Sequence, residues 1–181
     1  MCRFCSAHAS LVYVFDTIER EFGAEKIVRK FAEAVAKNEG EEVETVAKRT
    51  FGEYGKDLMK RTIELGEKSK DETYEKLEGN LPEWFIEVAY ISIQPLFFQL
   101  NVVEYNQHRF VFRIDNCHIF NALKRKCRDE IANQMPCKHA CLTFSETAYR
   151  DLGRKATVSM DASMMKNGYC QFTANNLALQ T

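Results

Sequence analysis

Apolar and polar residues in the first third of the chain recur with the period of an amphipathic α-helix. From residue 11 to residue 22 the apolar positions follow the i, i+3, i+4, i+7 spacing that places side chains on one helical face. The members of this face are Leu11, Val14, Phe15, Ile18 and Phe22. Gly23 predicts a break. The same periodicity then predicts a second helix from Ala24 that ends at residues 38–40 (NEG), and a third from about residue 41 to residue 65.

Two glycines lie inside the third predicted helix, Gly52 and Gly55. A glycine in a helix interior costs about 1 kcal/mol relative to alanine, so a pair of them needs an explanation. One interpretation is that they allow another helix to approach closely. The others are a kink or simply a weak position in the helix, and the pattern alone leaves all three open.

Strand-like patterns dominate the second half of the chain. Residues 100–105 and 109–114 predict a β-hairpin with a three-residue turn between them. Residues 156–160 and 169–174 predict a second pair of strands. The dipeptide Asn167-Gly168 lies between them, and Asn-Gly is favoured in tight type I′ turns.

Two helices are predicted between the hairpins. The first spans about residues 118–130, with Asn116 as its N-cap, and the second spans about residues 137–151 and is opened by Pro136. A highly charged stretch at residues 66–80 predicts a solvated connection between the two halves of the chain.

The order of these elements predicts an α+β fold. Helices come first, followed by two strands, two helices and two strands, which is typical of an antiparallel sheet with helices packed on one face. We expect a helical N-terminal region over residues 1–80 and an α+β, cysteine-rich region over residues 81–181. Both should belong to one compact domain, because 181 residues with a 45% hydrophobic fraction suffice for one sizeable core.

The composition limits the classes of partner that the protein is expected to bind. The formal net charge is −1, whereas nucleic-acid-binding proteins usually carry a basic face, so we expect no nucleic acid. No apolar run is long enough to span a membrane, and residues 1–5 (MCRFC) lack the apolar core of a signal peptide. We therefore expect a cytoplasmic protein with reduced cysteines and a small-molecule ligand or substrate. Whether the protein forms a homodimer is left open by the sequence.

Cysteines carry the strongest chemical signal. The chain has seven, and five fall in its last third, in segments that read as strand ends, strand interiors and helix starts. Thiolates from separate elements can converge on one soft metal ion, so the pattern predicts a site for zinc or iron. The predicted metal ligands are Cys117, Cys137, Cys141 and Cys170.

Other interpretations compete with this one. Cysteine is among the most buried residue types and also serves as a small apolar filler of cores. Cys127 lies on a basic helix and is expected to be a non-ligand thiol. A second, smaller group of Cys2, Cys5 and His8 near the N-terminus could add ligands to the main site.

A catalytic use of the site would need a nucleophile and a base. Cys137 could act as a thiolate nucleophile at the start of a helix, or a metal-bound water could attack while Glu146 or His139 moves the proton. The aromatic segment at residues 84–98 could line an apolar ligand pocket. Each feature also has an ordinary explanation. Glu146 could be a solvated carboxylate, His139 a surface histidine, and the aromatic segment part of the packed core.

The C-terminal half resembles a known enzyme family. Residues 110–117 (FVFRIDNC), Pro136-Cys137 with Cys141 on the following helix, and residues 168–172 (GYCQF) resemble the L-2-amino-thiazoline-4-carboxylic acid hydrolase-like family. More distantly, they resemble the 4-vinyl reductase-type small-molecule-binding domain. The likeness covers about residues 100–175.

The resemblance implies a helical front half followed by an antiparallel sheet with helices packed on it. It also implies a hydrolase that opens a non-peptide C–N bond of a small cyclic amidine-like substrate. The alternative hypothesis is a non-enzymatic small-molecule-binding or sensing module with a structural or redox cysteine-metal site. An open metal position beside a base would favour the enzyme, and a closed site beside an apolar cavity would favour the binding module.

Overall fold

The computed structural model describes residues 3–38, 40–68, 97–106, 108–151 and 155–176. The predicted connection beyond residue 68 and the predicted aromatic pocket segment up to residue 96 lie outside the described residues.

Three helices form the N-terminal half, as the periodicity predicts. They are α1 (Arg3–Phe22), α2 (Ala24–Lys37) and α3 (Val43–Lys68). Gly23 separates the first two, and its carbonyl accepts a hydrogen bond from the Lys26 N–H at the start of α2. The apolar stripe of α2 is buried as expected, whereas α3 runs slightly further than its predicted end.

Four strands form one antiparallel sheet. They are β1 (Phe97–Tyr105), β2 (Arg109–Cys117), β3 (Ala156–Ala162) and β4 (Cys170–Asn176), in the spatial order β1-β2-β4-β3. The two predicted hairpins therefore join through β2 and β4, which pair with Phe112 opposite Phe172. This arrangement places β2 and β4 at the centre of the sheet.

The helix predicted after β2 is shorter than expected. It is α4 (His118–Lys126), and the chain turns to extended backbone at Cys127 before a single turn, α5 (Asp129–Ala132). Asn116 is not its N-cap. That position belongs to Cys117, whose Sγ accepts a hydrogen bond from the Phe120 N–H at 3.5 Å.

Two further helices complete the described fold, α6 (Lys138–Asp151) and α7 (Met164–Asn167). The type I′ turn predicted at Asn167-Gly168 is wrong, because these residues instead end the one-turn helix α7. Gly168 adopts the left-handed conformation (φ 75°) and its N–H donates to the Met164 carbonyl, which is the usual glycine termination of a helix.

The helices and the sheet share one core. Alternate residues of the central strands face the helices, so that Phe110, Phe112 and Phe172 form a stack with ring centroids 5.5 and 5.1 Å apart. The same buried cluster includes Phe31 and Phe51 from α2 and α3. The predicted α+β class, a helical first half followed by an antiparallel sheet with helices, is confirmed.

Close contact between α3 and α6 explains one of the two glycines. A Cβ at Gly55 would lie 2.2 Å from the Ala140 carbonyl oxygen, so only glycine fits there. A Cβ at Gly52 would lie 3.5 Å from Thr143 Oγ1, which is ordinary contact. Close helix packing is therefore the correct interpretation for Gly55, and it fixes the position of α6 against α3.

Candidate functional site

The two central strands bring the first two cysteines together. Cys117 is the last residue of β2 and Cys170 is the first of β4. Because these strands are antiparallel neighbours and Cys170 pairs with Ile114, both thiols lie at the same end of the sheet. The sequence predicts this convergence only if both hairpins belong to one sheet, which they do.

The other two predicted ligands lie in a tight turn and at the start of α6. Cys137 directly precedes α6, rather than lying within its first turn as predicted, and Cys141 lies in the first turn. The Lys138 N–H donates to the Met135 carbonyl and the Ala140 N–H donates to the Cys137 carbonyl, each at 3.0 Å. These bonds fix the local backbone of the turn that leads into α6.

All four predicted ligand residues line one small cavity. Its volume is about 10 Å³, roughly the space of one water-sized sphere. The cavity surface is apolar, and Cys117, Cys137 and Cys170 are each 6% exposed. The lining residues are Ile114, Cys117, Ile119, Phe120, Met135, Cys137, Lys138, Cys141, Cys170 and Phe172.

Burial keeps these thiols protonated in the metal-free protein. Loss of hydration raises the pKa of Cys117 to about 12, although the Phe120 N–H that bonds its sulfur opposes the rise. Burial also raises the pKa of Cys137 and Cys141 well above the ordinary thiol value, and raises that of Cys170. A ligand that binds thiolates must therefore displace protons from this cavity.

The cysteines share a cavity without forming a finished coordination set. Within the described part of the chain, no group of three or more histidine, cysteine, aspartate or glutamate side chains is placed to hold a metal ion. The donor chemistry still suits a soft ion, because sulfur is the common element of the wall. The assignment of zinc or iron ligands stays a prediction.

A polar cluster lies beside the cavity, between α3 and α6. Glu44 Oε1 lies 3.0 Å from His139 Nε2 and 3.2 Å from Lys138 Nζ. Burial alone would raise the pKa of Glu44, but the hydrogen bonds from Lys138 and His139 outweigh it and lower the pKa. Burial lowers the pKa of His139 despite the neighbouring carboxylate, so we assign a neutral imidazole that donates Nε2–H to Glu44.

The predicted catalytic residues are not assembled around the cavity. Cys137 lines it, but His139 is engaged with Glu44 and does not line it, and Glu146 is exposed on α6. Their catalytic roles stay predictions without a supporting contact. Cys127 is half-buried outside the wall, as expected for a non-ligand thiol. Cys2 and the side chains of the other N-terminal candidates lie outside the described residues.

Sequence reasoning overlooked two residues of this region. Met135 is 4% exposed and lines the cavity, and its only sequence signal is its position before Pro136-Cys137. Glu44 anchors Lys138 and His139 from 94 and 95 residues away, a distance that no local pattern spans.

Comparison with known proteins shows the fold. No protein-family model matches the chain, and no curated protein matches it in sequence. A crystal structure of trafficking protein particle complex subunit 3 from Naegleria fowleri, covalently bound to palmitic acid, is similar with a TM-score of 0.58 at 8% identity. The match covers 86% of this chain and 96% of that one.

H-NOX proteins are weaker structural neighbours. A structure from work on heme distortion in that family matches with a TM-score of 0.46 at 10% identity, over 90% of this chain and 89% of that one. The unliganded Fe(II) H-NOX protein of K. algicida matches at 0.42 and 12% identity, over 93% and 95%. Membership of the hydrolase-like family stays a prediction. In the described helices, none is long and apolar enough to cross a membrane.

Proposed function

We propose that the protein is a non-enzymatic binding module that holds a thiophilic metal ion between Cys117, Cys137, Cys141 and Cys170. Zinc and iron are the ions that the cysteine pattern predicts. One observation carries the proposal: four cysteines from two strands, a turn and a helix line a single apolar cavity. Core filling alone does not require four thiols to share one cavity, because cysteines used as filler have no reason to meet.

A binding role fits this wall better than hydrolysis. Metal-assisted hydrolysis needs a group that accepts a proton near the attacking water. Apart from the thiols, Lys138 is the one ionisable side chain among the ten lining residues, and it is paired with Glu44. The cavity wall therefore offers ligands for a soft ion but no carboxylate or imidazole base.

The palmitic acid bound to the Naegleria protein suggests a second candidate, a thioester between a cysteine of the cavity and a fatty acyl group. Two observations weigh against it. A cavity of about 10 Å³ does not admit an acyl chain. Burial also raises the pKa of Cys117 to about 12, so it is a poor nucleophile near neutral pH.

The test is metal analysis of untagged protein purified without oxygen. We expect about one zinc, iron or copper ion per chain in the wild type, and we expect this ion to be lost in Cys137→Ala and in Cys170→Ala. Alanine is preferred to serine because a hydroxyl in this dry wall would lack a partner. Cys127→Ala is the matched control and should keep the metal, since Cys127 lies outside the wall.

Two results would overturn the proposal. One is wild-type protein that stays free of metal even after incubation with zinc, ferrous iron or copper(I). The other is equal metal loss in the Cys127→Ala control, which would locate the ion elsewhere. Intact-mass measurement of the same samples tests the acyl candidate, because a thioester adds a mass that hydroxylamine removes.

A further inference from the structure

Five sulfur-bearing side chains line the cavity, and the fifth is a thioether. Met135 is 4% exposed and shares the wall with the four cysteines. Thiolates and thioethers together are the donors that favour monovalent copper among biological metal ions. A thioether is a weak ligand for zinc, so its presence in the wall bears on which ion the cavity selects.

The backbone at Met135 is held in an unfavourable conformation. It has a φ of 55°, and no other non-glycine residue within the described ranges has a positive φ. The left-handed region is costly for a residue with a Cβ, and the following Pro136 restricts it further. The Met135 N–H donates to the Ala132 carbonyl and its own carbonyl accepts from the Lys138 N–H, each at 3.0 Å.

Such strain is typical of positions where surrounding structure holds a residue for binding. A competing explanation is that methionine fills an irregular gap, because its side chain adapts easily. Leucine would fill the same gap equally well, so replacement by leucine separates the two explanations.

Charge also favours a monovalent ion. Zinc(II) bound by four thiolates leaves two negative charges in an apolar wall, and burying uncompensated charge is costly. Copper(I) bound by two thiolates and a neutral thioether leaves one negative charge. Lys138 lines the same wall, but its ammonium group is paired with Glu44, so the site that leaves less charge is favoured.

The preferred coordination number also favours copper(I) over zinc. Copper(I) is stable with two or three ligands, whereas structural zinc takes four. Among the described residues no three cysteine, histidine or acidic side chains are already placed around one point. A site that uses only two of the cysteines does not need a third thiol at the same point.

We propose that the cavity binds copper(I) through two cysteine thiolates and the Met135 thioether. This inference rests on the proposed function, since it names the ion and a further ligand of the same site. Binding forms two copper–thiolate bonds and one copper–thioether bond, and the two thiol protons leave to solvent. Copper enters and stays as copper(I), so no electron is transferred.

The experiment measures copper(I) affinity without oxygen, by competition with a chromogenic copper(I) chelator. Zinc(II) affinity is measured in parallel with a zinc indicator. Met135→Leu should weaken copper(I) binding by about tenfold or more, in line with the usual effect of disturbing a metal's ligand environment, and should change zinc binding little. Met160→Leu is the matched control, since Met160 packs on the core without lining the cavity.

A second readout identifies the ligand directly. In protein labelled with selenomethionine, X-ray absorption at the copper edge should show a copper–selenium shell that disappears in Met135→Leu and persists in Met160→Leu. Thermal unfolding of both variants checks that they fold.

Each result is decisive. Unchanged copper affinity in Met135→Leu, or no selenium shell, would overturn the role of Met135. Zinc binding without copper binding would overturn the inference and leave the proposed function intact. A wild-type protein that binds no zinc, iron or copper would overturn both.

Discussion

Replacing Gly55 by alanine should destabilise the protein and disturb the cavity. The added Cβ would lie 2.2 Å from the Ala140 carbonyl oxygen, whereas Cβ atoms in folded proteins essentially never come within 3.0 Å of another group. Both partners are helix backbone, so no side chain can rotate away. Helices α3 and α6 must therefore separate by about 1 Å in a tightly packed core.

The magnitude follows from two opposing effects. Alanine gains about 1 kcal/mol of helix propensity over glycine, and forcing a methyl group into a packed interior usually costs about 1–3 kcal/mol. A contact with rigid backbone belongs at the upper end of that range. We expect a net loss of about 1–2 kcal/mol, or roughly 2–8 °C in Tm for a chain of this size.

Gly52→Ala is the matched control in the same helix. Its Cβ would meet Thr143 Oγ1 at 3.5 Å, an ordinary contact, so the helix propensity gain should survive as about 0.5–1 kcal/mol of added stability. Urea unfolding followed by circular dichroism measures both variants against the wild type. If Gly55→Ala were as stable as Gly52→Ala, the close packing of α3 on α6 would be refuted.

Gly55→Ala also probes the site, because Ala140 lies between the two cysteines that α6 and its preceding turn deliver. A displaced α6 moves Cys137 and Cys141 relative to the sheet. Metal content, measured as for the cysteine variants, should fall in Gly55→Ala and remain in Gly52→Ala.

Three further outcomes test other parts of the structure. In the metal-free protein near pH 8, maleimide labelling mapped by peptide mass spectrometry should modify Cys127 far faster than Cys117, whose pKa is raised to about 12; equal rates would show that the wall is open. Thr147→Val should raise the free energy of unfolding by about 1 kcal/mol in urea titrations, because the buried Thr147 hydroxyl has no hydrogen-bond partner among the described residues; a loss of stability would reveal a missed partner. The lowered pKa values of Glu44 and His139 mean that the unfolded chain binds more protons, so these groups favour folding at neutral pH. Their contribution should be lost as the pH falls from 6.5 for His139 and from 4.5 for Glu44. In urea unfolding measured across this pH range, Glu44→Gln should reduce the decline in the free energy of unfolding below pH 4.5. An unchanged profile would contradict the lowered pKa of Glu44.

Local features of the fold were accessible from the sequence. Gly23 ends a helix because the periodic pattern stops there, and the hairpin of β1 and β2 follows from alternation around a polar turn. The end of α4 was missed, since the residues after Lys126 carry no strong stop signal and Cys127 is extended for reasons that local propensity does not encode. The turn after β3 was missed because Asn167-Gly168 can also terminate a helix, and an Asn-Gly pair does not distinguish the two.

The site shows the same division between local and non-local information. Cys117 could be placed at a strand end and Cys170 inside a strand, but their convergence depends on β2 pairing with β4 rather than on either hairpin alone. The positive φ of Met135 runs against the preference of both methionine and a residue before proline, so local rules predict a different conformation there. Glu44 reaches the site only because α3 packs against α6.

The walls of the proposed site belong to the hydrophobic core. Neutral thiols and apolar side chains line a cavity about as large as one water molecule, and the buried cluster continues past it into α2, α3 and the central strands. A small zinc domain that lacks such a core unfolds when its metal is removed. Here the core extends far beyond the proposed site, so chelation should empty the site while leaving the far-ultraviolet circular dichroism unchanged. That behaviour is typical of a protein that responds to a bound ligand, and a chain that unfolded on chelation would instead be using its metal as a structural element.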